Sequence, residues 1–446
     1  MRDLAFVAFL FALLGTGFRR PFLFVLAYAY IDIVSPQRLT YLLLNSIPIS
    51  MIAVGLAVLG WLAMDDKRDV RMAPRQFLIL ALLGYCYYTT RNADFKLESL
   101  DKWAWVWKAL AFAAFLPLTL RTKLRIESLL LFMVLSAASI IIVGGIKTLA
   151  SGGGYGELNL MVSNNSGLYE GSTISTVAIA IIPLILWFTK YGTVFPPDWK
   201  VKAFCYGLVF ACLLIPVGTS TRTGLLCIGL VAALSLRTVK RKATYLAAIG
   251  VLGLVAVPFL PSAFTERMGT IQNHQADASA STRLAVWAWT WEFAKTHPFG
   301  GGFEAYRQNR IRLELVNTSG GNSTETEQTD QGRAWHSAYF EMLGEQGYPG
   351  LALWLTINLA GLFRMEVLRR RYRTGDEAWA GSLAAALQTG HMVYLLGAGF
   401  IAIALQPFVY MLIGAQVGLD TYTARRRAEA TGRRVRPARA TPPLPA

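Results

Sequence analysis

The chain has 446 residues, of which 54% are hydrophobic and only 16% are charged. Soluble domains carry about a quarter charged residues, so this composition excludes a chain made of soluble domains. The formal net charge of +16 could indicate nucleic-acid binding, but the basic residues lie in short clusters between apolar segments and no nucleic-acid motif accompanies them. We therefore predict an integral membrane protein that contacts membrane lipids and binds no nucleic acid.

Apolar segments follow one another along the whole chain, and most approach the roughly 20 residues that a helix needs to cross a bilayer. They cover approximately residues 4–18, 21–34, 44–63, 76–90, 104–120, 126–147, 173–189, 203–218, 221–236, 244–261, 346–363, 381–402 and 404–420. Residues 1–34 either cross the membrane twice or form a re-entrant pair, because only Arg19, Arg20 and Pro21 separate the first two segments. Gln406–Pro407 marks either a turn or a kink between the last two. The predicted fold class is an all-α polytopic integral membrane protein with 12 or 13 transmembrane helices.

The basic residues indicate which side of the membrane each connection faces. Of the 43 Lys and Arg residues, 26 lie in six short segments: 65–75, 121–125, 190–202, 237–243, 364–373 and 424–446. Such segments stay on the cytoplasmic side of a membrane, and two apolar segments separate each one from the next. The long hydrophilic segment 262–345 has a single apolar segment on each side, and it holds 10 Asp and Glu against 7 Lys and Arg. We predict that it is a large helical loop on the side of the membrane opposite the cytoplasm.

This topology divides the chain into two parts. Residues 1–423 form a membrane-embedded domain that includes the loop 262–345, and residues 424–446 form a basic cytoplasmic tail. The tail is rich in Arg, Ala and Pro and is expected to be disordered, holding the last helix against an anionic leaflet. Arginines follow the first apolar segment where a cleavage site would stand, so we expect no signal peptide. All four cysteines lie in apolar segments without metal-ligand spacing, which predicts a packing role.

Arg222 is the first candidate for chemistry, because ionisable groups at membrane depth are costly and often functional. It stands in the segment 218–224, GTSTRTG, at the start of a predicted helix that runs inward. That position places the guanidinium at or just below the outer interface, where small neighbours leave room for a ligand. The alternative is an arginine that extends to the lipid headgroups and binds no ligand.

Arg283 is the second candidate, in the first turn of a predicted helix at Ser281–Thr296. Apolar residues recur there at helical spacing, Ser281 is a possible N-cap, and three tryptophans suit the helix to lie along the membrane surface. A cation in the first turn opposes the helix dipole. An external anion would account for it, and so would a salt bridge to Glu292 or Glu266.

The four histidines differ in context. His336 precedes the apolar segment that follows the loop and should lie near the depth of Arg222, although a lone histidine is more often structural. His297 indicates a helix end and turn, His391 a packed polar residue, and His274 has no informative context.

No spacing typical of metal ligands occurs, and the three glycines at 300–302 lack the ending of a nucleotide-binding loop. We therefore expect no metal and no cofactor. Two arginines and a histidine at one interface suit a lipid diphosphate and a hydroxyl that must lose its proton.

Several motifs resemble those of the O-antigen ligase and polymerase family. They occupy residues 219–224 (TSTRTG), 283–287 (RLAVW), 297–303 (HPFGGGF), 335–339 (WHSAY) and 344–351 (GEQGYPGL). The start of the chain, MRDL, together with Arg20–Pro21 and Ser35–Pro36, is similar to the exosortase-associated O-glycosylation ligases. The family often has Asn after the loop histidine, whereas this chain has Ser337, so no role is assigned to that side chain.

The resemblance implies a metal-independent, inverting glycosyltransferase of a bacterial inner membrane, with the loop 262–345 and the active site on the periplasmic side. Its donor would be a glycan on undecaprenyl diphosphate and its acceptor lipid A–core, as in an O-antigen ligase. The family's two arginines correspond to Arg222 and Arg283 as diphosphate ligands, and its loop histidine to His336 as the catalytic base.

Other functions remain open at this point. A ligase to protein Ser or Thr and a polymerase of repeat units would share the fold. A transporter of lipid-linked glycans would need charged residues deep in several helices and pseudo-symmetric halves, which the sequence does not make evident. A structural membrane scaffold would not need Arg222 at its depth.

Overall fold

The computed structural model describes residues 2–430, with gaps at 41–42, 45, 68–69, 152–167, 238, 261–264, 266–277 and 320–321. This part of the chain contains fifteen α-helices, two short 3-10 turns and one β-hairpin. The helices are α1 (Arg2–Gly17), α2 (Phe22–Val34), α3 (Pro36–Leu39), α4 (Ile49–Met64), α5 (Pro74–Arg91), α6 (Lys96–Thr119), α7 (Lys123–Ser151), α8 (Gly171–Tyr191), α9 (Trp199–Gly218), α10 (Arg222–Ser235), α11 (Lys242–Ala256), α12 (Ala278–Thr296), α13 (Ala338–Arg371), α14 (Ala378–Ala398) and α15 (Pro407–Ala430). The hairpin consists of β1 (Arg310–Ser319) and β2 (Asn322–Gln331).

Each predicted apolar segment coincides with a helix, so the all-α membrane class is confirmed. Among the described residues, four helices are long and apolar enough to cross a membrane: α7, α8, α9 and α13. Five more are apolar but shorter: α1, α2, α4, α10 and α11. The chain is a multi-pass membrane protein, and the count of 12 or 13 crossings stays a prediction.

Helix α8 lies at the centre of the bundle, where it packs against α7, α9, α10 and α14. Small residues allow the close approach that helix association in a membrane favours. A Cβ at Gly390 of α14 would come within 2.5 Å of the Ala180 carbonyl, and one at Gly397 within 2.3 Å of Thr176. The four cysteines are buried and free, as their predicted packing role requires.

A chain of polar side chains crosses the interior between four helices. Arg75 of α5 donates to Gln416 of α15 at 3.0 Å, and the Gln416 amide nitrogen lies 3.0 Å from Nδ1 of His391. Nε2 of His391 lies 2.8 Å from Asn358 of α13. The prediction that His391 is a packed polar residue is confirmed, since both ring nitrogens have polar partners inside the bundle.

The hydrophilic loop is only partly helical, so the prediction of a helical loop is wrong for its second half. Helix α12 is followed by the hairpin, whose antiparallel register pairs Arg310 with Gln331 and Ser319 with Asn322. Polar and apolar residues alternate over 310–315, which is the period of a strand. Val286, Phe293, Ile311 and Trp335 give the loop a small core of its own.

Helix α13 is broken at Gly347, where φ is 62° and ψ is −168°. The glycine loop 300–302 packs backbone to backbone on this break: Gly301 N and Gly302 N donate to the carbonyls of Gly344 and Glu345, each at 3.0 Å. A Cβ at Gly347 would meet the carbonyl oxygen of Pro298 at 2.3 Å. Two motifs that are separate in sequence therefore form one contact, and only glycine fits both sides of it.

The last helix extends further than expected. Helix α15 ends at Ala430, so residues 424–430 of the predicted disordered tail are helical. Arg, Ala and Glu are strong helix formers, and Arg426 pairs with Glu429 one turn later at 3.2 Å. Residues 431–446 lie outside the described part of the chain.

Candidate active site

His336 lies in the turn between the hairpin and α13, with its backbone in the left-handed region at a φ of 46°. Non-glycine residues rarely take this conformation, and it persists where the surroundings enforce it. Trp335 and Ser337 on either side are only 1% and 2% exposed, whereas His336 itself is exposed. The turn buries both neighbours and leaves the imidazole accessible.

Helix α12 holds this turn from two sides. Its Trp287 donates from Nε1 to the carbonyl oxygen of Trp335 at 2.9 Å, and the Trp287 ring stacks on Phe340 with centroids 5.0 Å apart. The Trp335 ring lies against Gly344, where a Cβ would come within 2.1 Å of it. Because Arg283 is one helical turn before Trp287, these contacts carry the second candidate to the neighbourhood of His336.

Nearby charges also act on His336. The packed turn desolvates the ring in part although the side chain is exposed, and this desolvation, followed by the charge of Arg283, lowers the pKa of His336; Glu170 raises this pKa and Arg333 lowers it further. Since the charged imidazolium is disfavoured, the neutral form extends to lower pH than for an ordinary histidine. A neutral imidazole is the form that can accept a proton.

Glu170 is a charged residue near His336 that the sequence did not single out. It caps α8 by accepting from Ser172 N at 3.0 Å and Thr173 N at 2.6 Å. Glutamate is not among the preferred N-cap residues, so no sequence signal singled it out. Its carboxylate lies near enough to His336 to influence the pKa of that side chain.

Arg222 is the first residue of α10, as predicted. The turn before it includes Ser220 in the left-handed region, with a φ of 50°. Hydroxyl groups fasten this turn to α8: Ser175 Oγ lies 2.8 Å from Thr219 Oγ1 and 2.9 Å from Thr221 Oγ1. Arg222, which is half-buried, therefore extends from a backbone turn that these hydrogen bonds hold in place.

The start of α10 and the start of α13 lie at the same end of the bundle. Beside the hydroxyl cluster, Thr176 of α8 packs on Gly397 of α14. Half a turn earlier in α14, the Leu395 carbonyl accepts from the Tyr339 hydroxyl at 3.1 Å, and Tyr339 is three residues after His336. Arg283 thus lies on the helix that packs on the His336 turn, and Arg222 begins a helix at the same end of the bundle.

Glu292 and Glu266 are the two carboxylates that the sequence offers as salt-bridge partners of Arg283. Glu292 pairs with Lys295 at 2.7 Å, which makes it the partner of another cation. Glu266 lies outside the described residues.

The other histidines have structural surroundings where they are described. His297 ends α12, stacks on Phe293 with centroids 4.2 Å apart and lies 2.9 Å from the Thr296 hydroxyl. The prediction of a helix end and turn is confirmed. His274 lies outside the described residues.

A buried cluster of three charges was also missed. Lys102 of α6 contacts Glu341 at 2.7 Å and Glu345 at 2.8 Å, and the side chains are 12%, 4% and 0% exposed. It lies behind the first turns of α13, immediately after His336. In the described parts of the chain, no group of three or more His, Cys, Asp or Glu side chains could hold a metal ion.

Two family models match the chain. Residues 207–355 match the O-antigen ligase family, and this range contains Arg222, Arg283 and His336. Residues 1–193 match a family of unknown function, DUF5935. No curated protein matches the chain.

Proposed function

We propose that the chain transfers a polysaccharide from undecaprenyl diphosphate to lipid A–core on the periplasmic face of the inner membrane. The match of residues 207–355 to the O-antigen ligase family supports this proposal. One observation carries the proposal: His336 is exposed in a left-handed turn between two buried residues, and the helix that carries Arg283 packs on this turn. A base with a cation in its vicinity suits an acceptor hydroxyl that attacks beside a diphosphate leaving group.

In the proposed reaction, the neutral imidazole of His336 takes the proton of the acceptor hydroxyl. The oxygen attacks the anomeric carbon from the face opposite the diphosphate, and the bond from that carbon to the diphosphate oxygen breaks. A single displacement of this kind inverts the anomeric centre. The leaving group departs as undecaprenyl diphosphate. Because a diphosphate is a good leaving group, the donor needs no activation by a nucleotide.

Arg222 and Arg283 would bind the diphosphate throughout. A guanidinium group forms paired hydrogen bonds with phosphate oxygens and stays charged at any physiological pH. The leaving diphosphate gains negative charge as the glycosidic bond breaks, so two arginines stabilise the transition state more than the ground state.

The acceptor is tested by deleting the gene and separating lipopolysaccharide on a gel. Loss of the polysaccharide ladder with an intact core supports the ligase, and a plasmid copy should restore the ladder. A single repeat unit on the core would instead indicate a polymerase, and an unchanged ladder with loss of glycan from proteins would indicate a protein O-oligosaccharide ligase. If lipid-linked glycan no longer reaches the periplasmic face, the chain is a transporter.

The pH dependence of kcat/KM for transfer should reflect the titration of the His336 imidazole. Because burial and Arg283 lower its pKa below the ordinary value of 6.5, the base is neutral at pH 7 and kcat/KM should fall only as pH drops through that lowered pKa. Removing a nearby cation stabilises the imidazolium, so Arg333→Gln should move the acid limb to higher pH. Glu170→Gln should move it to lower pH.

These shifts are measured with purified enzyme and lipid-linked donor between pH 4.5 and 8, within the range where histidine titrates. An acid limb above pH 6.5, or one unmoved by both substitutions, would argue against His336 as the titrating base.

A further inference from the structure

The buried cluster formed by Lys102, Glu341 and Glu345 joins the segments that carry the candidate residues. Its ammonium nitrogen contacts one oxygen of Glu341 at 2.7 Å and both oxygens of Glu345 at 2.8 Å. It also lies 5.4 Å from the centre of the Phe303 ring. The cluster therefore links α6, the first two turns of α13 and the end of the glycine loop.

Both carboxylates have further partners from other segments. Glu341 accepts from the backbone N–H of Ala404 at 2.9 Å, and Glu345 accepts from that of Glu304 at 3.0 Å. Trp335, the residue before His336, directs its indole nitrogen to Glu345 at 3.5 Å. Each of the two carboxylates is thus held both by Lys102 and by a backbone N–H from another segment of the chain.

Stability of the fold alone does not require this cluster of three buried charges. Desolvating three charges is costly, and well-packed apolar residues often replace buried ion pairs without loss of stability. Here one cation faces two carboxylates, next to a residue whose backbone is held in an unfavourable conformation. A turn that stores strain needs rigid supports, and charged hydrogen bonds are the strongest that side chains offer.

We propose that Lys102 is a positioning residue for glycan transfer: through Glu341 and Glu345 it fixes the start of α13, and so holds the imidazole of His336 at the acceptor hydroxyl. The inference rests on the proposed function, because it assumes that His336 is the base. Lys102 itself does not touch the substrate. Its effect should appear in the chemical step, since a base displaced by about 1 Å can lose on the order of a hundredfold in rate.

Two variants test this role. Lys102→Met removes the cation but leaves two buried carboxylates without it, which endangers folding. The triple variant Lys102→Met, Glu341→Gln, Glu345→Gln is neutral and retains acceptor oxygens for Ala404 N and Glu304 N. Arg364→Met is the matched control: Arg364 also lies on α13 and pairs with Asp420 of α15 at 2.6 Å, but at the other end of the helix.

We expect the triple variant to melt within a few degrees of the control while its kcat per folded molecule falls by roughly ten- to a hundredfold. The KM for the lipid-linked donor should change much less, because the proposed donor ligands Arg222 and Arg283 lie on other helices, α10 and α12. The Arg364→Met control should retain kcat. A triple variant whose kcat per folded molecule equals that of the wild type would overturn the positioning role.

The decisive measurement repeats the substitutions in the His336→Ala background. If the cluster acts through His336, the residual transfer of His336→Ala should be unchanged by adding the triple substitution, because coupled residues are non-additive. Equal losses in both backgrounds would show that the cluster only supports the fold. If His336→Ala itself transfers like the wild type, the base assignment fails instead, so the two failures can be told apart.

Discussion

The variant His336→Ala should transfer glycan about a hundred to ten thousand times more slowly than the wild type, which is the range that general-base catalysis contributes. Folding should be preserved, because the imidazole is exposed and the turn is held by its buried neighbours Trp335 and Ser337. Binding of the lipid-linked donor should persist, so the donor should accumulate in cells. Transfer is measured with purified enzyme, donor and acceptor.

A second histidine of the same loop provides the control. His297→Ala removes a ring that stacks on Phe293 but has no part in the proposed chemistry, so its transfer rate should remain close to that of the wild type. Near-normal transfer by His336→Ala, or an equal loss in both variants, would remove His336 from the mechanism.

The second large effect concerns the arginine pair. If Arg222 and Arg283 bind one diphosphate, each Arg→Ala substitution should lower transfer about ten- to a hundredfold or more, since a charge-assisted hydrogen bond contributes about 1.5–3 kcal/mol. Lysine at either position keeps the charge but loses the paired contact, so Arg→Lys should also be impaired. The two Ala substitutions should be non-additive, because both act on one group.

The competing explanation makes different predictions. If Arg222 only anchors α10 to lipid headgroups, Arg222→Lys should behave like the wild type, since lysine reaches the headgroups equally well. Glu292→Ala is a control for Arg283, and we expect it to be silent because Glu292 pairs with Lys295. A silent Arg222→Lys together with simple additivity of the Ala variants would rule out a shared diphosphate.

The elements closest to the predicted site follow from local patterns. Small and hydroxyl residues mark the start of α10 at Arg222 as predicted, and helical spacing predicts α12 to within three residues of its start. The hairpin was missed although residues 310–315 alternate and Gly320–Gly321, a favoured two-residue turn, separate the strands in sequence. The second strand, residues 322–331, is rich in Thr and Glu and has no apolar residues. It therefore shows no alternation of polar and apolar residues from which a strand could be predicted.

Other features could not be predicted because they depend on distant partners. Lys102 contacts residues 239 and 243 positions later in the chain, and nothing in its neighbourhood indicates a buried cation. The left-handed backbone conformation of His336 also depends on contacts with other segments of the chain. Packing from α12 and α13 holds it, and the enrichment of histidine among left-handed non-glycine residues is too weak to predict the conformation at one position.

The polar chain through the bundle has a consequence for biosynthesis. Arg75 and Gln416 are 341 positions apart, and a chain is synthesised at about 5–20 residues per second. Helix α5 is therefore in the translocation machinery or in lipid for tens of seconds before α15 has been synthesised. During this interval Arg75 cannot bond to Gln416, and an unsatisfied polar group in hydrocarbon is costly. Synthesis of the last helix thus completes the polar interior, and a chain truncated before residue 407 should be recognised by membrane quality-control proteases.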